Sequence, residues 1–342
     1  MQSRRTKQRI TINEVAERAG VAKTTVSHAL SGKRPVAEET RQRIFAAMRE
    51  LQFTPNPIAQ RLAGKPSRTI ALVLPMASST LTDVEVRFMT SIAEVVNKHN
   101  YTFLTLTSPH VGAEDLRLIV QSGLVDGVVL MRIQVNDERV RLLRDAGVPF
   151  VMIGRTRDNK GLTYVDLDGE SACALAVNYL VELGHARIAF ICPEDLNFGF
   201  AYRVVRGYES SCRRHSLPRL KYPAMPSDDA GYHAMKALLH DHPELTAVIV
   251  WSDVVAVGAI SALRAAGRDI PGDVSVISFD RSEHLPLALS DLTIVDTRPE
   301  IIGVQAAEML LDLLHDAPLA QTQILMPPRL INGKSTAPRS VA

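Results

Sequence analysis

The chain has only three cysteines in 342 residues, Cys173, Cys192 and Cys212, and no CxxC spacing among them. That count and spacing argue against a disulfide framework and a structural zinc site, and leave reduced thiols. No apolar run reaches the roughly 20 residues needed to cross a bilayer as a helix. Met1 to Arg9 is basic but leads into an amphipathic stretch, so no secretory signal is read there. Also missing are GxSxG, HExxH, GxxxxGK followed by Ser or Thr, and a strand-linked GxGxxG. Their absence excludes the common nucleophile-elbow, zinc-protease, phosphate-loop and dinucleotide signatures. The expectation is a cytoplasmic protein with no membrane span, no catalytic residues, no cofactor and no metal.

What is present is ordinary globular composition, 46% hydrophobic and 22% charged, in a chain longer than one typical domain. The net charge of +2 hides an asymmetry. Residues 1–68 hold 14 Lys and Arg against 5 Asp and Glu, while the other 274 residues hold 25 against 32. A basic head on an acidic body points to a head that meets a polyanion and a body that does not.

The head reads as short helices. Thr11-Ile12-Asn13-Glu14 has the form of a capping box, and Ile12, Val15, Ala16 and Ala19 follow at helical spacing. Gly20 ends that helix and Val21 holds the corner. A second helix turns Val26, Ala29 and Leu30 inward and Lys23, Thr24, Ser27 and His28 outward. Residues 38–51 give a third, with Ile44, Ala47, Met48 and Leu51 inward. Two short helices across a glycine turn, with a polar outer face, match a helix-turn-helix whose second helix enters the major groove. An amphipathic hairpin capping another domain is the competing reading of the same spacing.

From Thr11 to Leu74 the chain resembles the DNA-binding head, hinge and first core strand of the lactose-repressor/galactose-repressor family of bacterial transcription regulators. The residues that carry the likeness are "TINEVAERAGVAKTTVSHAL", "VAEETRQRIFAAMRELQFTPNPIAQRLA" and "IALVLP". The resemblance implies base contacts from Lys23, Thr24 and His28, and phosphate contacts from Thr11, Thr25, Ser27 and Ser31. Position 28 is often Arg in the family, so the base read there stays open, and Thr11 serves equally as a cap. "NPIAQRLA", residues 56–63, falls on the family's hinge. It implies minor-groove contacts from Asn56, Ala59 and Leu62, with Leu62 as the wedge or, alternatively, packed on its own domain. Eight residues are too few to persist as a helix alone, so the hinge would fold when two subunits meet on DNA.

Downstream, β-rich runs at 70–75, 101–106, 126–131, 149–154, 187–192, 246–251 and 274–279 alternate with helical stretches, for example 83–99, 168–183, 201–215, 253–266 and 299–315. Continuous apolar runs mark strands covered on both faces, hence parallel sheets in α/β subdomains with a ligand cleft at the strand ends. Segments 165–191, 250–280 and 327–338 continue the resemblance. The expected architecture is a small all-α helix-turn-helix head (1–55), a hinge helix and linker (56–68), and an α/β periplasmic-binding-protein-like body (69–338). The body divides into a subdomain of about 69–184 with 297–326 and another of about 185–296 with 327–338, crossing near Gly184, Asp296 and Met326.

In the cleft, the resemblance implies effector contacts from Asp168, Asp253 and Asp280, since carboxylates offer two acceptor oxygens to vicinal hydroxyls. Asp168 and Asp253 also begin helical stretches, where capping is the rival role. Arg155 and Arg203 are further candidates, with Arg206 the alternative to Arg203, and Trp251 is a platform for a sugar face or core filler. Departures from the family pattern are Ser252, Arg281 and the segment 75–91. The expected function is a sequence-specific regulator, a homodimer binding double-stranded operator DNA, that represses carbohydrate-utilisation genes under control of a sugar or glycoside. A purine-like or phosphorylated effector is the alternative, and a solute-binding protein without regulatory role a distant one. No long heptad tail follows residue 338, so a dimer is expected over a coiled-coil tetramer.

Overall fold

The computed structural model describes residues 10–31, 34–53, 66–75, 81–107, 113–280 and 291–339. They divide into a unit of Met1–Thr69 with Gln121–Asp126 and a unit of Ile70–Val120 with Gly127–Ala342. The hinge expectation, with Asn56, Ala59 and Leu62, and the departure at Arg281 lie outside the described residues.

In the first unit, the Thr11 amide and hydroxyl donate to the Glu14 carboxylate at 2.6 and 2.9 Å, starting α1 (Ile12–Ala19). Gly20 ends it at φ 65, a left-handed conformation that a Cβ would strain, and the Val21 amide closes on the Ala16 carbonyl at 3.0 Å. The sharp corner leads directly into α2 (Lys23–Ser31), and α3 (Glu38–Glu50) follows. Val15, Ala16, Ala19, Val26, Ile44 and Ala47 form the small core, with Ile12, Ala29, Leu30, Met48 and Leu51 against it. The inward positions expected from helical spacing are these.

The second unit holds two six-stranded sheets. The first contains β1 (Thr69–Val73), β2 (Thr102–Leu106), β3 (Gly127–Leu130), β4 (Phe150–Ile153), β5 (Tyr164–Leu167) and β11 (Gln323–Met326), ordered β11-β5-β4-β3-β1-β2. The second contains β6 (Ile188–Pro193), β7 (Leu220–Ala224), β8 (Ala247–Val250), β9 (Ser275–Phe279), β10 (Thr293–Asp296) and β12 (Arg329–Ile331), ordered β12-β10-β9-β8-β6-β7. Val128 pairs with Phe150 and Ile188 with Ala247 in parallel register, while β12 runs antiparallel to β10. β3, β5, β6, β8 and β9 are buried along their whole length, as strands covered on both faces must be.

The covering layers differ between sheets. α4 (Asp83–Lys98) and α11 (Pro299–Leu314) pack on each other and on the first sheet. On the second lie α7 (Gly169–Glu182) with α8 (Gly199–Arg214), and α9 (Asp228–Asp241) with α10 (Asp253–Ala265). α9 and α10 meet backbone to backbone. A Cβ on Gly258 would stand 1.7 Å from the Asp228 carbonyl oxygen, and one on Gly231 2.1 Å from that of Val255. Cys173, Cys192 and Cys212 are free and buried, and burial pushes each thiol's pKa up.

Because α7 packs on the second sheet, the first passage between sheets runs through Asp168, not near Gly184 as the sequence suggested. The other passages run through residues 297–298 and 327–328. The seven apolar runs all fall on strands, but β5, β7, β10, β11 and β12 were not foreseen. β11 and β12 are short edge strands with exposed residues, and β7 carries Lys221 and Pro223, so their apolar signal is weak. The further helices α5 (Ala113–Ser122) and α6 (Glu138–Asp145) were likewise hidden by their polar content, as was α9. Among the described residues no helix is long and apolar enough to cross a membrane.

Candidate functional site

α2 has one face fixed and the other offered. Val26 is fully buried, while Lys23 and Thr24 stand exposed in the first turn. Thr25, Ser27 and His28 are half-buried along the same helix, and Ser31 closes it. A flexible cation and a hydroxyl at a helix start can donate to purine N7 and O6 in a major groove, and the neighbouring hydroxyls can donate to phosphates. Thr11 is placed as a cap, its hydroxyl proton given to Glu14.

In the second unit a cavity of about 440 Å³ opens at the carboxyl ends of strands from both sheets. Ligands of open α/β sheets bind there because loops from several strands converge without breaking the ladder. Phe88, Phe198, Phe200, Phe279 and Trp251 supply aromatic surface, with Met131, Ile133 and Ile153 between them. Trp251 donates its indole N–H to the Ala224 carbonyl at 3.1 Å, which fixes the ring against the wall.

Carboxylates provide most of the polar lining. Asp253 starts α10 and is 2% exposed; its Oδ1 accepts from the Val254 amide at 2.8 Å and the Ser252 hydroxyl at 3.2 Å. Its Oδ2 is buried without a hydrogen-bond partner. Burial raises this carboxyl's pKa against those donors. Asp280 follows β9 at φ 56 and accepts from the Thr297 amide at 3.0 Å and hydroxyl at 2.5 Å. Burial nevertheless pushes it up to about 7, so near neutrality it exchanges between acceptor and donor forms. Asp166, near the end of β5, is also raised by burial, opposed by Arg155, whose Nε donates to it at 2.8 Å.

The lining cation is positioned indirectly. Arg132 stands at φ 50 after β3, and its guanidinium donates to Glu85 at 2.9 and 2.5 Å. Buried Arg139 donates to the Met131 and Arg132 carbonyls and to Asp137, holding the turn in that left-handed form.

Of the residues expected in the cleft, Trp251, Asp253 and Asp280 line the cavity. Asp168 does not. It caps α7, accepting from the Ser171 amide at 3.2 Å and hydroxyl at 2.7 Å, because the helix begins immediately after it. Arg155 and Arg203 stand behind the wall. Arg203 donates to the Arg155, Gly199 and Thr156 carbonyls at 2.8–3.0 Å, so its guanidinium ties α8 to the loop after β4. Arg206 is exposed, beside Tyr202 and Glu170. The residues missed were Glu85, Arg132 and Asp166. Arg132 follows a recognised apolar run, so the strand-end rule applied there would have found it, whereas Asp166 lies in β5, which carries no recognised run. Among the described residues no three His, Cys, Asp or Glu side chains come together to hold a metal.

Comparison with known proteins fits both halves. Residues 11–56 match the model of bacterial regulatory proteins of the lacI family, and residues 177–336 match a periplasmic binding protein-like domain. The HTH-type transcriptional regulator AglR of Rhizobium meliloti (strain 1021) is 35% identical over 277 residues, 79% of this chain and 78% of that one. The structure of a transcriptional regulator CelR–cellobiose complex superposes with a TM-score of 0.72 at 27% identity, covering 96% of this chain and all of that one. A lac repressor dimer bound to operator and the anti-inducer ONPF gives 0.81 at 25% identity, again over 96% and 100%. A helix-turn-helix head, a two-sheet body with a ligand-sized cavity and these relatives together place the chain in the lacI family of DNA-binding transcriptional regulators, a family of regulators and not of enzymes.

Proposed function

We propose that the chain represses carbohydrate-utilisation genes and that a sugar or glycoside in the cavity controls its hold on the operator. Two copies form a cytoplasmic homodimer that sets two heads on a palindromic duplex, the arrangement of the lac repressor dimer on its operator. Lys23, Thr24 and His28 face base edges, and Thr25, Ser27 and Ser31 face phosphates, while Thr11 serves as the cap of α1. Asn56, Ala59 and Leu62 reach the minor groove. Such phosphate contact makes operator affinity fall steeply with salt.

The observation that carries the effector half is Asp253. A carboxyl group with an unsatisfied oxygen and an indole ring on the lining of one cavity suit a ligand that brings both hydroxyls and an apolar face. The CelR relative is described in complex with cellobiose, a ligand of that kind. Linkage then requires that an effector which loosens the operator bind less tightly to the operator-bound form.

Trp251 is the sole tryptophan, so intrinsic fluorescence reports on the cavity directly. Titration of the full-length protein with cellobiose, other neutral disaccharides and adenine should change that fluorescence for a disaccharide. The same sugar should shift affinity for a duplex selected from a random pool. A response to adenine and to no sugar moves the reading to the purine-like alternative.

A further inference from the structure

The cavity wall has a pronounced charge imbalance. Glu85, Asp166, Asp253 and Asp280 line it, with exposed Glu194 and Asp195. Among the described lining residues Arg132 is the one cation, and its guanidinium is already bound to Glu85. The guanidiniums near the lining are engaged as well, Arg155 by Asp166, Arg203 by three backbone carbonyls and Arg87 by Glu300. Two helix starts that reach the cavity are capped from within: Glu85 accepts from the Thr82 amide at 2.9 Å, and Asp253 from the Val254 amide.

We infer that this cavity excludes anions, so that it accepts a neutral or amine-bearing saccharide and rejects the phosphorylated or carboxylated counterpart. The inference rests on the sugar reading for its probes, but its basis is the wall. An incoming phosphate or carboxylate meets a wall whose polar groups are mostly carboxyl groups, with exposed Glu194 and Asp195 at its edge. Arg132 offers it little, because the charge of its guanidinium is already balanced by Glu85, whose pairing an added anion would compete with. A neutral sugar meets no such conflict, because each hydroxyl can donate to a carboxyl oxygen of the wall. A sugar ammonium goes further and supplies the missing countercharge.

The test uses full-length protein and three β-1,4 disaccharides that all keep both rings: cellobiose, its uronic acid oxidised at one C6 (cellobiouronate), and the diamino disaccharide of glucosamine. Affinities are read by calorimetry and by Trp251 fluorescence. Cellobiouronate should bind about tenfold or more weaker than cellobiose, as expected for like charges in a partly desolvated site. The diamino sugar should bind at least as tightly as cellobiose. Cellobiouronate binding as tightly as cellobiose overturns the inference, and would direct attention to the start of α8, where no side chain caps the helix. Asp253→Asn should narrow the cellobiose–cellobiouronate gap by about threefold or more while the protein melts no lower. A gap unchanged in both Asp253→Asn and Asp280→Asn removes the charge explanation. Should no disaccharide bind, the sugar reading falls by itself, and the charge rule is read on adenosine and adenosine monophosphate. Weaker binding of the nucleotide supports it; equal binding overturns it.

Discussion

In the three-helix unit the side chains offered to a partner, Lys23 and Thr24, stand exposed on a helix pinned from behind by fully buried Val26. In the α/β unit the corresponding groups, Asp253 and Asp280, are 2% and 5% exposed. The contrast separates two ways of keeping a polar group ready. An exposed cation keeps its hydration until DNA displaces it, and holding it ready strains nothing. A buried carboxylate has given up its water in advance, so the fold carries that cost until the ligand offsets it. Altering the first kind of residue should change binding alone. Altering the second should trade binding against stability.

The largest expected effect bears on the rigid frame behind the buried groups. Gly258→Ala drives a Cβ into the Asp228 carbonyl and should cost the body roughly 3 kcal/mol or more in chemical denaturation. A loss below 1 kcal/mol would mean that α9 and α10 can separate freely.

Asp280 comes next. Its carboxyl sits near pH 7 when folded and at 3.8 as a free side chain, so the folded state binds the proton more tightly. That contribution is full below the lower value and disappears as pH rises through about 7. Measured as the stability difference from Asp280→Asn, the wild type should lose of order 3 kcal/mol between pH 4 and pH 8. A difference that stays flat with pH breaks the buried-group half of the contrast.

For the exposed half, Lys23→Ala should weaken operator binding by about 2 kcal/mol, roughly 30-fold, with sugar affinity and melting unchanged. A parallel drop in sugar affinity would show that Lys23 does more than touch DNA. Asp253→Asn should do the opposite: it weakens sugar binding and raises unfolding free energy by about 1 kcal/mol. Arg18→Ala is the smallest. It removes an ion pair to Glu50 in which both side chains are more than half exposed, and the melt of the head should not move measurably.

How far the sequence could be read follows the same contrast. The polar face of α2 was legible because helical spacing alone decides which residues turn outward. Asp253 and Asp280 were placed in the cleft by the family resemblance, and each also follows an apolar run that becomes a strand. Asp168 was misleading for a local reason. Asp166 and Asp168 alternate in "DLD", and the strand ends between them, leaving Asp166 toward the cavity and Asp168 free to cap the next helix. Arg203 was placed in the cleft by family position, yet three backbone carbonyls claim its guanidinium, and no periodicity in a single chain reveals that competition. The edge strands β11 and β12 escaped because three or four half-exposed residues leave no pattern to detect.

β11 and β5 form one margin of the first sheet, β12 and β10 one margin of the second, and each of the three chain passages leaves from one of these margins. The two halves are therefore sewn together along a single seam. Relative motion resembling a door on its jamb twists only the few residues of that seam, whereas sliding or pulling apart would tear strands from their ladders. A ligand reaching across the gap opposite the seam has the longest lever arm the molecule offers, so modest contact energy there can govern the angle of the whole.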